Sequence, residues 1–145
     1  MAVTVKKITL WRSEVENKPG MLARTLNPLA DAGASLQVVM AYRFPGEPTR
    51  GAIELSPVSG KKSQVAAQTA GLDRSSIPTL LVMGDDRPGL GSEIAEAIAG
   101  NGINVSFLVV QVVGRRYSAV YGFETEAEAQ IATGLIRKAS KPRRR

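Results

Sequence analysis

Apolar and polar positions along this chain follow one succession of periods, and they follow it twice. Residues 7–15 are rich in β-branched and apolar types and stop at a turn signal, which predicts a strand. After Asn17-Lys18-Pro19-Gly20, apolar residues recur at Leu22, Leu26, Leu29 and Ala30, the spacing of a helix with one buried stripe. Gly33 is placed to close that helix in a left-handed conformation. Pro28 inside it removes one backbone hydrogen bond and predicts a kink or a shortened helix. Leu36, Val38, Met40, Tyr42 and Phe44 then alternate with Gln37, Val39, Ala41 and Arg43, the period of a half-buried strand. A turn over 45–49, a strand over 51–55 and a weak polar helix over 61–70 follow. A fourth strand could only be a short piece around 71–75.

The second copy repeats the plan. Residues 77–83 read as a strand, and Leu90, Ile94, Ala97 and Ile98 as the stripe of a helix closed by Gly102. Residues 103–113 and 116–123 form a hairpin across Gly114-Arg115. Residues 125–138 form a closing helix with Thr125 as its cap and Glu126 and Glu128 in the first turn. Gly33 corresponds to Gly102, Leu29 to Ile98, Leu36 to Val105 and Val38 to Phe107. Each copy reads β-α-β-β-α, and the second has no fourth strand of its own. This order predicts an α+β chain of two ferredoxin-like (βαββαβ) modules, open antiparallel sheets with both helices on one face. The modules are expected over residues 5–74 and 75–138, with a tail over 139–145.

Alternation also predicts which faces are buried. Val105, Phe107 and Val109, like Leu36, Val38 and Met40, are expected to meet the helices. Leu108, Val110 and Val112 would then stand on the open face, where the first copy has Gln37, Val39 and Ala41. An apolar open face calls for cover by another sheet or subunit, so a homodimer or higher oligomer is expected.

The loop repeated before each first helix, Asn17-Lys18-Pro19-Gly20-Met21-Leu22 and Asp86-Arg87-Pro88-Gly89-Leu90-Gly91, is the place to look for chemistry. Pro sets the first corner of a type II turn and Gly supplies the unusual φ of the second. The helix then presents N–H groups without internal partners beside the positive end of its dipole, a setting that takes a carboxylate or phosphate. Asn17 offers an amide, and Asp86 an anion suited to an ammonium group. Together these are what a free amino acid requires. The same residues also make an ordinary strand-to-helix turn.

Composition narrows the options. The chain has 145 residues and contains neither Cys nor His, which removes thiol nucleophiles, disulfides, imidazole bases and the usual zinc ligands. Asp85-Asp86 as a magnesium site, or Tyr117 and Tyr121 as acids, would lack a nucleophile–base pair, so no enzyme, cofactor or metal is expected. No apolar run approaches the ~20 residues of a membrane span, and residues 1–7 lack a signal peptide's apolar core, so the protein is expected in the cytoplasm without membrane contact. The net charge is +6, from 19 basic and 13 acidic residues. Arg137, Lys138, Lys141, Arg143, Arg144 and Arg145 account for the whole excess, leaving the body neutral. Nucleic acid is therefore expected as a partner only through this tail. RNA-recognition modules share the element order, but Arg116 and Ala119 stand where such modules carry Gly and a stacking aromatic.

The run from Ile8 to Arg24, ITLWRSEVENKPGMLAR, then a helix and Ala32-Gly33-Ala34-Ser35-Leu36 before a strand, resembles an ACT domain. So does the run from Leu81 to Leu90, LVMGDDRPGL, with Asn101-Gly102-Ile103-Asn104-Val105 after its helix. The resemblance spans roughly residues 5–138. The first copy is similar to the opening module of acetolactate synthase regulatory subunits, and the two-module plan to stand-alone proteins such as glycine-cleavage repressors. It implies a regulatory protein of amino-acid metabolism that binds an amino acid or similar effector, with a partner enzyme as a further possibility. In that family the effector lies where modules pair side by side, the loop of one facing the start of the second strand of its neighbour. The implied loop residues are Asn17, Pro19, Gly20, Met21 and Leu22, with Asp86, Pro88, Gly89 and Leu90. The implied strand-start residues are Ser35, Leu36 and Gln37, with Asn104, Val105 and Ser106. Pro28, Gly91 in place of Leu22, and the deficient fourth strands depart from the family pattern.

Overall fold

The computed structural model describes residues 3–142, which form two compact units. One comprises residues 9–76. The other is discontinuous, built from the segment that ends at Ile8 and the segment that begins at Ile77. The expected strand over 7–15 is in fact two strands, β1 (Thr4–Ile8) and β2 (Trp11–Glu16), and the break between them is the boundary between units.

The inserted unit continues with α1 (Met21–Asp31), β3 (Val38–Arg43), β4 (Arg50–Ser56), α2 (Lys61–Thr69) and a two-residue β5 (Asp73–Arg74). Its sheet runs β3-β4-β2-β5, antiparallel throughout, so the short fourth strand around 71–75 is present. The helices cover one face, over a core of Trp11, Leu29, Ile53, Leu55, Ala67 and Leu72. The buried positions of α1 are Thr25 and Leu29, whereas Leu22 and Ala30, expected in the stripe, are exposed. Thr25 tolerates burial because its hydroxyl donates to the Met21 carbonyl at 3.0 Å. Pro28 does not shorten α1, which continues to Asp31 and is capped through the Ala32 N–H.

The split unit contains β6 (Thr79–Asp85), α3 (Leu90–Ala99), β7 (Val105–Val113), β8 (Arg116–Phe123) and α4 (Glu126–Ala139). Thr125 caps α4 by accepting the Glu128 N–H at 3.1 Å, as its sequence predicts. The sheet order is β1-β6-β8-β7. The fourth strand missing from the second copy is therefore β1, delivered from the other end of the chain in register from Thr4↔Met83 to Ile8↔Thr79. The module boundary expected at residue 5 is corrected accordingly, because Val3 and Val5 pack into the core of this unit. Val3 lies so close to Gly84 that a Cβ there would stand 2.8 Å from the Val3 Cα. Ser140 Oγ accepts the Val3 N–H at 3.3 Å, and Arg137 reaches the Val5 carbonyl at 3.4 Å. Tyr117 and Tyr121 share a hydrogen bond of 2.6 Å inside this core, and burial pushes both phenols up from their ordinary pKa.

Strand faces differ from simple alternation in both units. In β7 the register shifts between Val105 and Phe107, one extra residue at Ser106. Val105 opposes Phe123 on the helix side, but beyond the bulge Leu108, Val110 and Val112 oppose Tyr121, Ala119 and Tyr117, which belong to the core. Side chains directly opposite each other share a face, so Leu108, Val110 and Val112 are on the helix side and Phe107 and Val109 on the open side. The expectation for these residues is reversed. Phe107 lies over Gly122, where an added Cβ would come within 2.1 Å of its ring. The inserted unit repeats this: Gln37 N–H donates to the Ser56 carbonyl while Val38 is already the register partner of Ser56. Val39 and Ala41 therefore share the face of Leu55 and Ile53, whereas Val38 and Met40 share that of Ser56 and Glu54.

Removing residues 1–8 is expected to unfold the distant β6–α4 segment selectively. Loss of the buried Val3 and the half-buried Val5 alone forgoes about 2–3 kcal/mol. Hydrogen exchange should show lost protection in β6 and β8 with protection retained in β2 and β4.

Candidate functional site

Both Pro-Gly loops hold the conformation their sequence calls for. Gly20 has φ 90° and Gly89 φ 85°, each immediately before its helix, and neither helix has a side-chain cap. The first turns of α1 and α3 thus keep unsatisfied N–H groups at an exposed loop. Asn17 is less free than expected. Its side-chain amide donates to the Pro48 carbonyl at 2.9 Å and its N–H to the Thr49 carbonyl at 2.9 Å, tying the loop to the β3–β4 turn. In the other unit the Asp86 N–H donates to the Arg115 carbonyl at 2.8 Å, which likewise ties loop to hairpin, but its carboxylate is exposed. Asp85 is held by Arg116 at 2.9 Å. Arg87 turns inward to Glu93 at 2.6 Å and to the Ala139 carbonyl at 3.1 Å, anchoring the loop to the end of α4.

A groove of about 200 Å³ opens beside the first loop. Asn17, Met21 and Leu22 line one side, and the ends of β3 and β4, through Ala41, Tyr42, Arg43 and Ile53, line the other. Leu22, exposed from the core, therefore has a place here. The β3 residues were not anticipated from the sequence. They follow from topology, because α1 returns the chain to the far end of the sheet and antiparallel β3 brings it back to the loop. For the same reason Ser35 and Gln37 lie away from Asn17, in a second groove of about 400 Å³ with Gly33, Pro57 and Ser63. Neither unit brings its own loop and strand start together.

Several expected site residues serve the core instead. Leu90 is 2% exposed, and Val105 and Leu36 pack against the cores of their units. Pro19, Gly20, Pro88, Gly89, Asn104 and Ser106 are exposed. On the open face of the inserted sheet, the Tyr42 hydroxyl donates to Glu54 Oε2 at 2.8 Å and Arg12 Nε stands 3.9 Å from Glu54 Oε1. Burial, then the Glu54 carboxylate, pushes the Tyr42 phenol up. Among the described residues no cluster of acidic side chains is arranged to hold a metal ion, and no helix is long and apolar enough to cross a membrane.

No protein-family model and no curated protein matches the chain. Solved structures do. Protein BT0572 from Bacteroides thetaiotaomicron superposes with a TM-score of 0.75 at 12% identity, covering 90% of this chain and 88% of that one. The regulatory subunit of aspartate kinase from Thermus thermophilus, in its ligand-free form, gives 0.67 at 17% identity over 97% and 98%. The same subunit from Thermus flavus gives 0.60 at 16% over 97% and 98%. The likeness is one of fold: an α+β chain of two ferredoxin-like modules, each an antiparallel sheet with helices on one face.

Gly20→Val and Gly89→Val are each expected to cost about 1–3 kcal/mol, since an added Cβ meets nothing within 4 Å and only the left-handed backbone resists it. Gly91→Ala, in open space within α3, should be neutral or slightly stabilising. Urea unfolding measures all three.

Proposed function

We propose that this protein is a non-catalytic regulator of amino-acid metabolism that binds an amino acid or a similar small effector where two modules pair edge to edge. The observation that carries the reading is the edge itself. Leu108, Val110 and Val112 are helix-side residues of the outermost strand β7, yet each remains more than 40% exposed. Val39 on the edge strand β3 is 45% exposed. Apolar side chains on the covered face of a sheet, left in water at its edge, are complete only when a neighbouring module adds its own sheet and helices. Such pairing would bring the strand-start residues Ser35 and Gln37, or Asn104 and Ser106, of one module toward the loop of another. A ligand there could set its carboxylate against the N–H groups that follow Met21 or Leu90 in the first turn of α1 or α3, and its ammonium against Asp86. Met21 and Leu22 would flank its side chain. Structural neighbours that are regulatory subunits of aspartate kinase support a role exerted on a separate catalytic partner.

A thermal-shift screen of the twenty amino acids should reveal the effector. At 100 times its dissociation constant a ligand adds about 2.7 kcal/mol of stability. Asp86→Ala should weaken that ligand at least tenfold by calorimetry with the fold intact, and unchanged affinity would remove Asp86 from the site. Light scattering should show a dimer or larger assembly that Val110→Lys dissociates; a monomeric parent at micromolar concentration would refute edge pairing.

A further inference from the structure

The first turn of α2 is left open. The helix begins where the Gln64 N–H donates to the Gly60 carbonyl at 3.0 Å, and no side chain caps it. The N–H groups of Lys61, Lys62 and Ser63 have no partner among the described residues. No acidic side chain lies in that turn, and Lys61 and Lys62 are exposed. Neither lysine enters an ion pair among the described residues. The equivalent helix of the split unit, α4, is capped by Thr125 and carries Glu126 and Glu128 in its first turn.

An open helix end alone defines no site, but Ser63 adds to it. Ser63 is 8% exposed and lines the groove of about 400 Å³ beside Ser35 and Gln37. Its hydroxyl has no hydrogen-bond partner among the described residues. Other helix hydroxyls of this chain turn back to the carbonyl four residues earlier. Thr25 donates to Met21 at 3.0 Å, Thr69 to Val65 at 2.9 Å and Thr133 to Ala129 at 3.0 Å. For Ser63 that residue is Ser59, which precedes the helix on the far side of Gly60 at φ 83° and ψ 155°. A hydroxyl buried this far is stabilised by a partner, and the chain offers none.

The rest of the groove restricts what that partner can be. Its lining holds the hydroxyls of Ser35 and Ser59 and the Gln37 amide, with no charged and no aromatic side chain. Such walls suit a small hydroxylated body rather than a nucleobase or an apolar side chain. The end of α1 reaches the same groove through Gly33 and Ala34. There the Ala32, Gly33 and Ala34 N–H groups occupy the Pro28, Ala30 and Leu29 carbonyls, which blunts the negative end of that helix. Asp31 is exposed and does not line the groove.

We propose that this groove binds the phosphate monoester of a small hydroxylated molecule, with its phosphoryl group at the start of α2. The phosphoryl oxygens accept from the N–H groups of Lys61, Lys62 and Ser63 and from Ser63 Oγ. The polar body lies toward Ser35, Ser59 and Gln37. A phosphoryl group matches this end better than a carboxylate, because it brings a further oxygen and nearly a second charge to Lys61 and Lys62. The anion contacts belong to one unit and to neither Pro-Gly loop.

Amide NMR of the full-length protein titrated with glycerol 3-phosphate tests the groove. Saturable shifts centred on residues 60–63 are expected, with inorganic phosphate and sulfate binding more weakly and glycerol not at all. Ser63→Ala should weaken glycerol 3-phosphate at least tenfold. The same change should leave urea unfolding of the ligand-free protein unaltered or slightly raise its midpoint, because it deletes a hydroxyl that bonds to nothing. Replacing Lys61 and Lys62 by Gln should weaken binding and flatten its salt dependence. No response to tens of millimolar glycerol 3-phosphate or inorganic phosphate would overturn the proposal. So would undiminished binding by Ser63→Ala, or a Ser63→Ala protein destabilised without ligand. Sulfate binding as tightly as glycerol 3-phosphate would reduce the groove to a general anion site, and shifts confined to residues 137–145 would assign the anion to the basic tail; either result refutes the assignment. Asp86→Ala and Val110→Lys should leave the phosphate response intact, which separates this groove from the effector site proposed above.

Discussion

The ladder between β1 and β6 is the constraint on which the rest of this chain depends. A ferredoxin-like sheet needs a strand outside its first, both to pair backbone groups and to roof the helix-side core. In the split unit that strand is Thr4–Ile8, and everything between Thr9 and Ser76 is an insertion in a module that would otherwise be incomplete. Its attachment is distributed: Val3 against Gly84 and Ser140, Val5 in the core with its carbonyl near Arg137, and Lys7 paired with Glu126 at 2.6 Å. The exposed ion pair contributes little, so apolar burial and the ladder hold the strand. The inserted unit solves the same problem with two residues, and for that reason retains an open edge.

A second constraint is the extra residue at the start of the second strand of each module. Ser106 and Gln37 each displace the alternation by one position. Apolar residues that alternation assigns to the open face are thereby moved to the helix side. Because β7 and β3 are outermost, the helices do not reach these residues, and an apolar margin remains. That margin, and the loops tied to it through Asn17 with Pro48 and Asp86 with Arg115, give each unit one organised edge.

The repeated loops are alike in backbone and unlike in chemistry. Both enter a helix through a left-handed glycine. The first spends its amide on the chain, opens on a groove and exposes Leu22; the second exposes a carboxylate, buries Leu90 and spends its arginine on α4. The turn is the same in both loops, while the side chains around it serve different ends. The two loops are expected to contribute unequally to any shared site.

Much of this architecture was legible in the residues themselves. The element order, the hairpin at Gly114-Arg115, the Thr125 cap and the left-handed Gly20 and Gly89 follow from short-range patterns, because periodicity, turn stereochemistry and capping act over a few residues. The Pro-Gly loops as candidate chemistry were legible for the same reason. What the chain does at long range was not. Residues 7–15 read as one strand, since nothing local marks Ile8 and Trp11 as members of different sheets; only the competition for the empty slot beside β6 decides that. The bend at Gln37 and the bulge at Ser106 leave no mark in composition, yet one added residue at Ser106 exchanges the faces of Leu108, Val110 and Val112 with those of Phe107 and Val109. The burial of Leu90 and the service of Ala41, Tyr42 and Arg43 along the first groove likewise depend on which strand returns beside which loop. Local stereochemistry determined the elements of this protein, and strand pairing across the whole chain decided which module owns them and which faces they show.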